Sequence, residues 1–452
     1  MRESMALGLR SLRRESVALG LRRLRRESVA PRSGRAALNF GLIVLSFAAA
    51  ATPGIGTADT AILSPQAQLG RQIFFDPTLS ASGKMSCASC HDPSNAYAAP
   101  QTSGVVTRGG TNMDRPGLRV IPSLRYLSDT PRFSRHSYID VGRDREDVGP
   151  AGGFMLDGRA DNLREQTLLP LLDPAEMANS SVADVAARLR RAPYAAQLRQ
   201  AAESFSAGAQ PSAGDQPSAG RQPSADRQPL ARPQPLVDAA AAALERFELE
   251  DPSFHPYNSR FDQYLRGTEA LSADELEGLR LFVDPAKGNC AACHTATTGP
   301  GGRAPTFTDY SYHSLGVPRN PAIPANTDPR FFDLGLCGPR RTDLHNERQY
   351  CGYFKTPTLR NVARRQFFFH NGRFANLQDV MHFYVERDTN ARRWYPTLAG
   401  KLEKFDDLPT RYHDNVNMSD APLNRSPGDK PALDDAEIGK VIAFLGTLND
   451  RE

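Results

Sequence analysis

Cys87-Ala88-Ser89-Cys90-His91 and Cys290-Ala291-Ala292-Cys293-His294 decide how this chain is read. Each sets two thiols three residues apart, about one helical turn, with an imidazole directly after the second. The same frame precedes both. Leu63, Ser64, Gly70, Ile73, Phe74, Asp76 and Pro77 recur as Leu271, Ser272, Gly278, Leu281, Phe282, Asp284 and Pro285, at a constant offset of 208. Ser64-Pro65 reads as an N-cap followed by Pro at the first helical position, and Ser272-Ala273-Asp274-Glu275 reads as a capping box. Each copy predicts a short helix closed by an Asp-Pro turn. The two Cys-x-x-Cys-His motifs are 203 apart, so the second copy has the shorter loop. Duplication follows, and with it a mainly α chain of two tandem helical domains, 59–265 and 266–452.

Cys-x-x-Cys-His is the attachment signature of c-type haem. The thiols form thioethers to the two vinyl groups, and the adjacent His falls under the ring to ligate iron. A thioredoxin-like pair would need a βαβ context, and a zinc site would need further ligands near each motif. Neither is present. Each domain is thus expected to resemble a c-type cytochrome and to bind one covalently attached haem, through Cys87, Cys90 and His91 and through Cys290, Cys293 and His294.

The amino-terminal end reads separately. Arg2-Glu3-Ser4 recurs at Arg14 and Arg26, an expanded repeat or an over-long reading of the gene; as a helix it would be basic and amphipathic. Arg32 and Arg35, the apolar run 40–51 and Gly56-Thr57-Ala58 follow the order of a secretory signal. The run is too short for a bilayer span, which takes about 20 residues. Residues 1–58 are therefore expected to be a repeat-bearing basic tail plus a signal peptide cleaved near Ala58, giving a periplasmic product with no transmembrane span. The 55 Lys and Arg against 51 Asp and Glu give a net charge of +4. That excess belongs to the arginine-rich tail, and the remainder is mildly acidic, which argues against nucleic acid as a partner. Residues 206–235 repeat a Pro-rich hexad from Gln210, Gln216, Gln222 and Gln228, and predict a solvated, disordered insertion between helices at 182–204 and 236–249. Cys337 and Cys351 remain. An oxidising compartment favours a disulfide between them, worth roughly 3 kcal/mol on a loop-entropy account, over two unpaired thiols.

With two such motifs in a duplicated helical frame, the chain resembles the bacterial di-haem cytochrome c peroxidase and MauG family. Phe74-Phe75-Asp76-Pro77 and Asp157-Gly158-Arg159, then Leu163 and Glu165-Gln166, resemble its first domain. Phe354 to Val362 and Phe369-His370-Asn371-Gly372-Arg373-Phe374 resemble its second. The resemblance implies a di-haem peroxidase that reduces hydrogen peroxide to water at the first haem. Electrons would come from a small redox protein, a cytochrome c or cupredoxin, through the second haem. The alternatives are MauG-like oxidation of a protein substrate by long-range electron transfer, or a non-catalytic electron-transfer cytochrome.

Site roles follow from the resemblance. Glu165 would be the acid/base, with Arg159 and Gln166 bracing the peroxide site. His370 would sit beside the second haem, and His313 is a spare candidate. Tyr384 would be the second haem's distal ligand, with Met381 the alternative one turn earlier. No His lies between His91 and His136, which implies an open first haem. Leu156 stands where relatives carry Trp before Asp-Gly-Arg, so Tyr97, Tyr126 or Tyr138 would bridge the haems instead. Arg119-Val120-Ile121-Pro122 replaces Arg-Asn-Thr-Pro, leaving mostly backbone carbonyls for an interdomain calcium.

Overall fold

The computed structural model describes residues 62–141, 144–207 and 235–451. The expected tail and signal peptide, and all but the ends of the Pro-rich insertion, lie outside them. Nine α-helices of six or more residues appear among the described residues: α1 Pro65–Phe74, α2 Leu163–Leu172, α3 Val182–Leu189, α4 Ala195–Ala207, α5 Pro235–Glu250, α6 Arg260–Leu265, α7 Ala273–Val283, α8 Leu377–Glu386 and α9 Asp435–Gly446. Strands are few and form two-stranded sheets. The longest is a hairpin of Ser134–Val141 with Asp144–Ala151. None of these helices is long and apolar enough to cross a membrane.

The duplicated frame folds as the capping residues dictate. Ser64 Oγ accepts from the Ala67 N–H at the start of α1. Ser272 and Glu275 form a reciprocal capping box on α7. α1 then crosses α5, and α7 crosses α9, each at a glycine. A Cβ on Gly70 would stand 1.9 Å from the Ala243 carbonyl oxygen, and one on Gly278 would stand 2.0 Å from that of Lys440. Aromatic rings lock the crossings edge to face, Phe74 on Phe247 at 5.5 Å and Phe282 on Phe444 at 5.2 Å. Gly278→Ala is accordingly expected to cost about 1–3 kcal/mol or more, because backbone must move to admit the methyl group. Denaturant unfolding of the holoprotein measures it.

Each crossing anchors its own apolar core. One gathers residues from Leu69 to Phe254, the other residues from Phe261 to Leu448. The segment 182–204 is two helices rather than one, because Pro193 lies between them and cannot continue a hydrogen-bonded helix. α6 lies within the stretch assigned to the first half, but Phe261 packs on Phe307 and Phe444 in the second core. Charged ties join the halves. Arg119 donates to Asp157 of the first half and Asp333 of the second. Arg125 and Tyr126 meet Asp450, next to the carboxy terminus. Cys337 and Cys351 are disulfide-bonded and close a loop whose Arg341 reaches back to the Asp157 and Gly158 carbonyls.

Candidate active site

Both Cys-x-x-Cys-His motifs form a tight turn at the end of the loop that follows α1 or α7. The His91 N–H donates to the Cys87 carbonyl at 2.9 Å, and the His294 N–H to that of Cys290 at 2.8 Å. Each imidazole also holds Nδ1 against a backbone carbonyl, Tyr97 at 3.1 Å and Phe307 at 3.0 Å. That contact places the proton on Nδ1 and leaves Nε2 as a bare lone pair, the form a metal ligand needs. Burial lowers the His91 pKa to about 4 and lowers that of His294, so both are neutral at pH 7. None of the four motif cysteines is in a disulfide. Burial pushes the Cys87, Cys90 and Cys290 thiols up to about 12.

A large apolar cavity opens beside the second motif. Cys290, Cys293 and His294 form one wall, and Met381 and Tyr384 of α8 lie on the cavity as well. The apolar stripe of α8 brings both candidate ligands to the same space. Burial raises the Tyr384 phenol well above its usual pKa, and the Cys293 and Cys290 thiols add to the rise.

The cavity also carries uncompensated positive charge. Arg365 has no carboxylate partner among the described residues, its Nε is buried without a hydrogen bond, and burial lowers it to about 10. Burial lowers Lys355 to about 8 against the pull of Asp157. His370 stacks on Phe354 at 3.7 Å and leaves Nε2 buried and unpartnered, 3.7 Å from the nearest Asp407 oxygen. An apolar space with a neutral imidazole, paired thiols, the orphaned Arg365 Nε and His370 Nε2, and a desolvated Lys355 that bonds only a backbone carbonyl fits a haem with its propionates.

Around the first motif the polar groups sort differently from expectation. Glu165 is spent on its own helix. Its carboxylate accepts from the Asp161 N–H at 2.9 Å and from Asn162 Nδ2 at 3.1 Å, a cap on α2. Two carboxyls that folding brings to the Cys87–His91 turn are Glu248 of α5, which acts on the Cys87 thiol, and Glu176, in the turn after α2, which acts on both the Cys87 and Cys90 thiols. Burial pushes Glu176 up to about 7; Asp173 adds to the rise, while Arg159 and Arg340 oppose it. Gln166 is buried on the cavity with Oε1 unpartnered. Arg159 pairs with Asp157 and, with Asp173 and Arg340, borders an apolar cleft against α2, α3 and α5. Glu176 carries no local signal beyond its place after Asp173-Pro174, which turns the chain back towards the motif.

The remaining candidates separate by position. His313 is not isolated: Nε2 lies 2.8 Å from Ser311 Oγ and 3.4 Å from Cys293 Sγ. Cys293, Asp309 and His313 cluster, but this sulfur is one the haem would take. Tyr138 is exposed on the hairpin and Tyr97 stacks on Phe254 in the first core, whereas Tyr126 and Leu156 line the cavity. In the segment expected to offer carbonyls to calcium, the Arg119 guanidinium already bridges the halves.

Glu248 on α5 was not anticipated. Burial, with Glu245 adding, pushes it up to about 8, and Oε2 has no partner. A carboxyl raised from 4.5 in this way stabilises the fold only while protonated, so stability drains away as pH rises from about 4.5 through 8. Glu248→Gln should therefore match the parent near pH 4 and exceed it at pH 9 by on the order of several kcal/mol, read by denaturant unfolding.

Comparison with known proteins gives one family. The description "Di-haem cytochrome c peroxidase" matches residues 64–270. Methylamine utilization protein MauG of Paracoccus denitrificans is 31% identical over 407 residues, covering 88% of this chain and 92% of that protein. Cytochrome c551 peroxidase of Nitrosomonas europaea is 26% identical, covering 70% and 71%. The crystal structure of the diheme peroxidase BthA from Burkholderia thailandensis superposes with a TM-score of 0.70 at 38% identity, over 86% of this chain and 87% of that one. With the repeated Cys-x-x-Cys-His turn, the paired helix crossings and these relatives in agreement, the chain belongs to the di-haem cytochrome c peroxidase family and is an oxidoreductase of the peroxidase type.

Proposed function

We propose that the chain is an exported, periplasmic di-haem c-type peroxidase that reduces hydrogen peroxide to water with electrons from a small redox protein. One asymmetry carries this reading. Two motif turns each present a neutral imidazole, but among the described residues carboxyls pushed up to about 7 and 8, Glu176 and Glu248, act on the thiols of the first alone; Glu176 is the one that reaches both thiols. The first domain would be peroxidatic and the second would pass electrons. Cys87, Cys90, Cys290 and Cys293 would hold two haems covalently, with His91 and His294 ligating through Nε2. Arg365, Lys355 and His370 would receive the propionates of the second. When bound, haem iron supplies the redox chemistry, O–O cleavage and electron storage. Glu176 takes the proton from one peroxide oxygen and returns it to the other as the bond breaks. Gln166 Oε1, unpartnered on the cavity that runs from the second motif to Pro122 beside His91, would accept the peroxide O–H and orient it. Arg159 holds the Asp157 turn that borders the site.

A second reading, MauG-like oxidation of a protein substrate, is favoured by Tyr384 on the second cavity. A phenolate ligand stabilises ferric and higher states, whereas Met381 would favour a high potential. Mixing ferric holoprotein with one equivalent of peroxide separates the readings. Fast return to the ferric spectrum with reduced cytochrome c supports the peroxidase. A long-lived oxidised state without donor supports protein oxidation, and no spectral change sinks both. Tyr384→Met should raise the second haem's reduction potential, read by spectroelectrochemistry. An unchanged potential would remove Tyr384 as ligand.

A further inference from the structure

Three tyrosines outside this machinery share a strained backbone. Tyr126, Tyr257 and Tyr310 have φ of 65°, 45° and 58°. A residue with a Cβ pays about 1 kcal/mol or more for that left-handed conformation. Folding brings the three together. Tyr126 and Tyr310 line the cavity of the Cys290–His294 turn, and Tyr257 packs edge to face on Tyr126 at 4.8 Å. Two of the phenols donate to carboxylates, Tyr126 to Asp450 Oδ1 at 2.5 Å and Tyr257 to Asp129 Oδ2 at 2.9 Å. The Tyr257 N–H donates to the Tyr126 oxygen at 3.2 Å. The buried Arg360 guanidinium lies over both rings, at 4.7 and 4.5 Å. Tyr126 is only 2% exposed, whereas Asp129 reaches the surface, where it pairs with exposed Arg303.

A phenol oxidised by one electron becomes strongly acidic. A guanidinium over the ring disfavours leaving positive charge there, so the proton must depart with the electron. A carboxylate already in hydrogen-bond contact accepts it without rearrangement. Tyr126 and Tyr257 both have that acceptor, and between them they join the cavity wall to the surface. No tryptophan stands at Leu156 to do so.

We propose that Tyr126 and Tyr257 are a pair of redox-active tyrosines that carry oxidising equivalents from the haem cavity to the surface at Asp129. The inference rests on the peroxide reading above, which supplies the oxidant. Tyr126 gives one electron to the oxidised haem pair; its O–H bond breaks and the proton binds Asp450 Oδ1. Tyr257 then reduces the Tyr126 radical, its own proton passing to Asp129, while Asp450 returns its proton to Tyr126. An electron from a reduced protein at the surface, with the proton on Asp129, restores Tyr257. Two such passages supply the two electrons consumed by one peroxide.

The test is electron paramagnetic resonance of ferric holoprotein frozen after one equivalent of peroxide, with ring-deuterated tyrosine to assign the signal. The parent should show a tyrosyl radical. Tyr126→Phe should lose it, and Tyr257→Phe should retain it at Tyr126 with a longer lifetime. Both variants should keep the peroxide-induced change in haem absorption, which also reports folding. If the parent's haem absorption does not change, the peroxide reading fails rather than this one. If it changes and both variants give the parent's radical with the parent's lifetime, the tyrosine pair is overturned. Should Tyr126→Phe not accumulate as folded holoprotein, Tyr257→Phe decides, because that hydroxyl bonds only Asp129 among the described residues.

Discussion

Glu176→Gln is expected to slow peroxide consumption by the holoprotein by about 10²–10⁴-fold, the range for loss of a positioned acid/base. Glu165→Gln should stay near the parent rate. The contrast follows from what each carboxylate already does. Both oxygens of Glu165 accept hydrogen bonds at the start of α2, and losing them weakens a cap by about 1 kcal/mol without touching the site. Glu176 is half-buried near Cys90, pushed up to about 7 chiefly by desolvation of its carboxyl. It must be ionised to take a proton from peroxide, so the rate of the peroxide reaction should rise with pH through about 7 in the parent. Glu176→Gln should lose this limb of the profile along with the rate. A larger loss in Glu165→Gln than in Glu176→Gln would reverse the assignment.

Asp262→Ala should destabilise the holoprotein by about 3–5 kcal/mol at pH 7, the cost of leaving a buried charge without its partner. Arg360 and Asp262 form a two-pronged ion pair at 2.8 and 2.9 Å with both side chains fully buried, and Arg360 Nε donates to the Pro305 carbonyl. Burial pushes the Asp262 carboxyl up, but the hydrogen bonds and charge of Arg360 outweigh it and hold the group below its ordinary 3.8. A depressed carboxylate contributes stability above its unfolded value and loses it as pH falls through the folded one. The parent should therefore weaken on acidification below about pH 4, and the gap to Asp262→Ala should close there. Asp262→Ala with Arg360→Leu should recover much of the loss, since the stranded charge is then gone. Denaturant unfolding at pH 7 and pH 3 gives both comparisons.

These two residue pairs mark where sequence reading succeeded and where it stopped. The helices announced by caps at Ser64 and Ser272 appeared where the caps stood, because capping acts within one or two turns. Pro193 divided a helix that apolar spacing alone had run together. The acid/base role of Glu165 came from the resemblance, whereas in the structure a carboxylate three residues after the N-cap Asn162 serves as a cap. Glu176, Arg365 and Glu248 had no sequence signal, because what distinguishes them is desolvation of an ionisable group, a property of the folded surroundings.

Legible along the chain alone were the duplication, the two Cys-x-x-Cys-His turns, the resemblance to the family and the two cysteines left over, Cys337 and Cys351. All rest on covalent chemistry or on spacing along the chain, which survives without a fold. Only the closed fold brings Glu176 to the first motif, Arg365 to the second cavity, and Tyr126 and Tyr257 to each other and to their carboxylates. Those relations join residues up to 324 positions apart, as Tyr126 and Asp450 are. Desolvation and hydrogen bonding at such sites exist only once the chain has closed around them.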